Sequence, residues 1–177
     1  MELEIPIRSW TRDNYLISTD PSLVPLDALN EMFASDDVHW GQPLPLEHLR
    51  MMVQRSMCFA LYEVSNSASL GEEEHSNETR PPRRLIGFAR WITDMVTVNY
   101  LTDVYILPEY RSKRLGVWMM GCIDEVFTAM PYVRGMILIA DRGSSTEALY
   151  RKYLAMDDLQ SPGFLMDRKG RGAASGS

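Results

Sequence analysis

Between Tyr100 and Ala129 the chain runs through a strand, a short basic turn and a helix, and this unit constrains the fold more than any other stretch. Tyr100 to Leu107 (YLTDVYIL) is apolar and aromatic enough for a strand, and Pro108 ends it. Arg111, Lys113 and Arg114 make the turn basic. Gly116 to Ala129 then carries Trp118, Met119, Ile123, Val126 and Phe127 as candidate core positions, which predicts a helix. A helix start preceded by such a loop offers several N–H groups without intrahelical partners, and added positive charge suits it to a pyrophosphate. Most units of this kind hold no ligand, so the unit alone names no function.

The flanking segments set the fold class. Asn14 to Thr19 is expected as a strand, and Pro25 to Ala34 and Leu46 to Ser56 as helices whose apolar positions (Leu26, Leu29, Met32, Phe33; Leu49, Met52, Val53) recur at helical spacing. Met57 to Val64 and Arg84 to Ile92 are expected strands, and Ser65 to Arg83 a polar, flexible hairpin loop. Gly135 to Ala140 is a short apolar run of the kind buried on both faces of a sheet. Thr146 to Tyr153 is expected as a helix with Ser145 as N-cap, and Phe164 to Asp167 as a last strand. This order of elements implies an α/β fold with antiparallel and parallel pairing in one sheet.

Composition excludes several classes. A chain of 177 residues that is 45% hydrophobic buries roughly 70% of its unfolded surface and needs no staple. The expectation is one domain over residues 1–168, with 65–83 as a loop insertion and 169–177 as a disordered tail. A net charge of −6 argues against nucleic acid, and no apolar run reaches the ~20 residues of a membrane span. Cys58 and Cys122 are expected as buried free thiols in a cytoplasmic protein, and His39, His48 and His75 are too scattered to suggest a metal.

The stretch from Tyr100 to Trp118 resembles the acetyl-CoA-binding signature of the GNAT superfamily of N-acetyltransferases, Gln/Arg-x-x-Gly-x-Gly/Ala after a strand ending near Pro-Glu-Tyr. Arg111 and Gly116 hold its first and last positions. Arg114 stands at the middle glycine, where it can be accommodated if that residue is helical. Leu149, Tyr150 and Lys152 match the family's later Leu-Tyr-x-Lys-x-Gly-Phe pattern, with Leu154 and Ala155 in place of Gly-Phe. Gly87-Phe88-Ala89-Arg90 followed by Thr93-Asp94 is similar to a subgroup of the same family. The match extends over residues 14–167.

The resemblance implies a mostly antiparallel, twisted mixed sheet flanked by about four helices, with a strand splay that binds acyl-CoA. It implies direct attack of an amine on the thioester of acetyl-CoA in a ternary complex, without a metal. Tyr150 is then the general acid near the sulfur. Val104, Tyr105 and Ile106 lie along the acetyl group and pantetheine arm, and Arg111, Ser112, Lys113, Arg114, Leu115 and Gly116 hold the pyrophosphate. Asp103 is the leading candidate base, where some relatives carry Glu-Asp and this chain has Thr102-Asp103. Asp94 is a second candidate, and a water relay stays open. Phe33, Trp40 and Tyr100, with His39 and Gln42 nearby, are the expected acceptor-binding residues. The expected acceptor is a small primary amine; a protein or peptide amine, or a catalytically weak acyl-CoA-binding module, are the alternatives. Relatives often dimerise, so a homodimer belongs to the expectation.

Overall fold

The computed structural model describes residues 6–65 and 82–159. Six strands form one sheet in sequence order: β1 (Ser9–Arg12), β2 (Tyr15–Ser18), β3 (Met57–Val64), β4 (Arg83–Thr93), β5 (Val98–Ile106) and β6 (Gly135–Ile137). Every neighbouring pair is antiparallel except β5 and β6, which are parallel. The helices are α1 (Leu26–Phe33), α2 (Leu46–Gln54), α3 (Leu115–Thr128) and α4 (Ser145–Tyr153). A parallel neighbour needs a crossover, and α3 supplies it between β5 and β6.

Alternation along β3, and along β4 on either side of a register shift opposite Leu61 and Tyr62, builds two cores, one on each face of the sheet. Met57, Phe59, Leu61, Ile86, Ala89 and Trp91 join the core under α3 and α4. Cys58, Ala60, Tyr62, Leu85 and Phe88 join the core under α1 and α2. Gly87 permits this close spacing: a Cβ there would stand 3.1 Å from Ile106 Cγ1, Leu61 Cδ2 and the Tyr105 carbonyl oxygen.

Parallel pairing is short. β5 and β6 pair at Val98 with Gly135, Asn99 with Met136 and Tyr100 with Ile137, and no further. From Leu101 to Ile106, β5 runs on beside β4 alone. The two strands therefore part past Tyr100, and this is the splay that the sequence resemblance implies.

Three expectations need correction. β1 was not expected; it forms a hairpin with β2 through Asp13, which sits at φ 54°, and Asp-Asn at this turn is the signal for it. The segment after α3 is a strand only over Gly135–Ile137, and it is not buried on both faces: Ile137 is 50% exposed and Ile139 73%. A short apolar run gives composition but not coverage. The N-cap of α4 is Ser144 rather than Ser145; its Oγ accepts the Glu147 N–H at 3.1 Å, and Glu147 in turn accepts the Gly143 N–H. The Phe164 to Asp167 strand, the tail, and residues 66–81 of the expected loop lie outside the described residues.

Candidate active site

The unpaired length of β5 presents its backbone to the splay in a fixed pattern. The Leu107 N–H donates to the Ile86 carbonyl on the β4 side at 2.9 Å. Alternation then turns the backbone groups of Tyr105 toward β4 and those of Val104 and Ile106 away from it. The Ile106 carbonyl accepts from Arg111 Nε at 2.9 Å, which agrees with that alternation.

A one-residue bulge sets the pattern. Phe88 pairs with Tyr105 and Arg90 with Thr102, so Asp103 and Val104 together oppose Ala89. Asp103 occupies the left-handed region at φ 54°. Arg90 Nε donates to its carboxylate at 2.6 Å, with both side chains largely buried, and Thr102 donates to the other oxygen at 3.3 Å. Arg90 Nη1 also donates to Ser56 Oγ at 3.1 Å.

β5 leads into a 3-10 turn over Pro108–Lys113, and Arg114 then takes φ 57°, ψ 23° as the N-cap of α3. Arg114 is thus left-handed and not helical, which corrects the expected accommodation. A glycine adopts this conformation without the ~1–2 kcal/mol that a Cβ costs. Among the described residues no side chain caps α3, which leaves the N–H groups of its first turn open to another partner. A Cβ on Gly116 would meet only Ile106 Cδ1 at 3.6 Å and Leu149 Cδ2 at 3.7 Å, ordinary contacts. Packing therefore does not demand glycine at this position. An open helix start and an unencumbered glycine fit a phosphate group.

The basic side chains of the loop have separate partners. Arg111 pairs with Asp37 at 2.7 Å and stacks 5.3 Å over the Tyr105 ring. Lys113 donates to Tyr15 Oη at 3.0 Å and lies 4.7 Å over the Tyr110 ring, which draws it toward β2. Ser112 and Arg114 are exposed, and Leu115 is core.

Tyr150 is buried on α4, and burial pushes its phenol up to about 12. It borders a cleft of about 310 Å³ with Leu138, Ala140 and Met156. Asp94 is committed to the turn between β4 and β5: it accepts the N–H groups of Val96, Thr97 and Val98 and the Thr97 hydroxyl, and these bonds hold its carboxyl well below the usual range.

Of the expected acceptor residues, Phe33 is buried in the core under α1 and α2. Tyr100 is half-buried opposite Ile92 and Ile137. Trp40 is exposed and packs edge-on against His39. The segment after α1 joins three points around the splay. Ser35 Oγ lies 3.1 Å from Tyr105 Oη, Asp37 pairs with Arg111, and His39 Nε2 lies 3.5 Å from the Asp141 carboxylate. Ser56, Ser35 and Asp37 escaped the sequence reading, and Arg90 entered it only within the Gly87–Arg90 match, with no role or partner assigned. Their contacts span from 13 to 74 positions, and no local pattern announces them.

Comparison with known proteins adds to this geometry. No family model matches the chain. A curated protein of Gibberella zeae named "Putative acetyltransferase FG08082" is 37% identical over 153 residues, which cover 86% of this chain and 85% of that protein. Among solved structures, a "putative acetyltransferase belonging to the gnat family" from Xanthomonas campestris pv. campestris has a TM-score of 0.66 at 24% identity, covering 94% of this chain and 100% of that one. A GNAT-family acetyltransferase of Streptococcus pneumoniae has a TM-score of 0.54 at 14% identity, covering 84% of this chain and 94% of that one. At these identities the two structures speak for the fold.

Proposed function

This chain belongs to the GNAT acetyltransferases, and from that premise we propose that it moves an acetyl group from acetyl-CoA directly to the primary amine of a small molecule, with both substrates bound together. The observation that carries the reading is the continuity of the splay with an uncapped helix start. The free edge of β5 from Leu101 to Ile106 leads through Arg111 and Arg114 into the first turn of α3.

Each residue then has a task. The open N–H groups of α3, with Gly116 beside them, take the pyrophosphate, and Arg111 adds charge. The outward backbone of Val104 and Ile106 takes the pantetheine arm and the acetyl carbonyl, where an N–H donor offsets the developing negative oxygen. The amine nitrogen bonds to the carbonyl carbon, the carbon–sulfur bond breaks, and the amine gives its proton to water. Asp103, held by Arg90 and Thr102, shapes the strand rather than taking that proton. Tyr150, raised to about 12, stays protonated at neutral pH and donates a hydrogen bond to the departing sulfur. So weak an acid steadies the charge on sulfur rather than handing its proton over, since an ordinary thiol titrates near ~8.5.

What supports a small acceptor is that the segment after α1 is tied to Arg111 through Asp37 and lies within 3.5 Å of Asp141 through His39, a bridged opening that suits a compact amine better than an extended peptide. The test is calorimetric titration with acetyl-CoA and with free CoA, followed by thiol release across a panel of amines. Micromolar binding and release with small amines are expected. No binding up to millimolar would overturn the reading; release only with peptide amines would move the acceptor class; binding without release would leave an acyl-CoA-binding module.

A further inference from the structure

The bulge at Asp103 decides which backbone groups line the splay. Before it, Leu101 faces α3 and Thr102 faces the opposite side; after it, Val104 and Ile106 face α3 and Tyr105 faces α1. Without the extra residue, the strand beyond Thr102 would slip by one, and every side chain and backbone group would exchange sides. Val104 and Ile106 would then direct their N–H groups at β4. Tyr105 would lose its contact with Ser35.

Such a bulge carries a left-handed, non-glycine residue and persists only where its surroundings over-determine it. Here the surroundings are chiefly one guanidinium, with the Thr102 hydroxyl at 3.3 Å on the other carboxylate oxygen. Arg90 grips the Asp103 carboxylate through Nε at 2.6 Å and Ser56 Oγ through Nη1 at 3.1 Å. Ser56 is itself buried between α2 and β3, so Arg90 ties the bulge to the sheet interior. A largely buried, hydrogen-bonded ion pair is a device for specifying register more than for adding stability.

We infer that Arg90 is a positioning residue for acyl transfer: through the Asp103 carboxylate it fixes the bulge that turns the Val104 and Ile106 backbone into the splay. The inference rests on the proposed function for its kinetic half only. Arg90 touches neither substrate; it acts through Asp103.

The test uses the full chain and the variants R90Q, R90K, D103N and the double variant R90Q/D103N. Turnover, acetyl-CoA affinity and pH profile are measured, together with NMR couplings and shifts at Asp103 and Val104 in the free protein. In R90Q, kcat is expected to fall roughly 10–100-fold with acetyl-CoA affinity within about threefold, a loss of oriented transition-state contact rather than of binding. R90K should recover part of it. D103N should lose as much, with the shape of the pH profile kept, and the double variant should be no worse than either single one. In R90Q the Asp103 coupling should leave the left-handed range. Unchanged turnover in R90Q, or a D103N variant that alone loses the acidic limb of the profile, would overturn the inference, the second result making Asp103 the base. If the wild-type chain neither binds acetyl-CoA nor turns over, the proposed function fails. The Asp103 coupling in R90Q then still decides whether Arg90 holds the bulge.

Discussion

Two arginine–carboxylate pairs flank the splay, Arg90–Asp103 at 2.6 Å and Arg111–Asp37 at 2.7 Å, and they differ in almost everything but length. The first pair's side chains are 13% and 11% exposed, the second's 49% and 47%. Burial sets what each can do. A buried charge that loses its partner is left without water, so breaking the inner pair is costly. An exposed pair gains little, because water and salt compete for both ends. The inner pair therefore suits holding a backbone in place, and the outer pair suits exchanging a carboxylate for a phosphate.

Removing one partner of the inner pair should give the largest effect. Asp103→Ala strands Arg90 and forces a less tolerant residue into the left-handed region; a loss of about 3 kcal/mol is expected in urea unfolding. A loss below ~1 kcal/mol would erase the distinction between the pairs.

On the outer side the expected damage is to binding and not to the fold. Gly116→Asp places a carboxylate where packing leaves room. Acetyl-CoA affinity should drop by about 100-fold or more, ~2.7 kcal/mol, with the melting temperature nearly unchanged. Normal affinity would remove the phosphate from this loop. Tyr150→Phe should lower kcat by about 10–100-fold with acetyl-CoA affinity kept, in the range for losing a proton or hydrogen-bond donor. Equal turnover would take Tyr150 out of the chemistry.

Arg114→Gly should raise stability by about 1 kcal/mol, since glycine relieves the left-handed strain at this N-cap. An unchanged or lower unfolding midpoint would mean that the arginine side chain makes up for its backbone. The smallest effect is expected from Asp37→Asn. Folding stability should shift by less than ~1 kcal/mol, while freeing Arg111 should tighten acetyl-CoA binding a few-fold at low salt. Weaker binding would mean that Asp37 orients Arg111 for the phosphate rather than competing with it.

Much of this was legible from local patterns. Each helix lies within one or two residues of its expected bounds, because apolar spacing reports helical period and proline or a cap marks the ends. β3 and β4 follow their runs of alternately facing residues. The basic turn before α3 and the Leu149-Tyr150 pattern on α4 were visible as motifs, and the fold they implied is the fold observed. β1 was missed because four residues with three polar members carry too little period, although Asp13-Asn14 marked its turn.

Local pattern along the chain was enough for the four helices, for β2 to β5 and for the loop that faces the splay, since those depend on propensity and on spacing between neighbours. Tertiary structure alone decided the bulge at Asp103, the left-handed state of Arg114 and the partners of every charged group at the site. A bulge is a mismatch between two strands, and its place follows from the register of both. An ion pair between Asp37 and Arg111 joins residues 74 positions apart, and its strength depends on how much water the surrounding chain leaves around it.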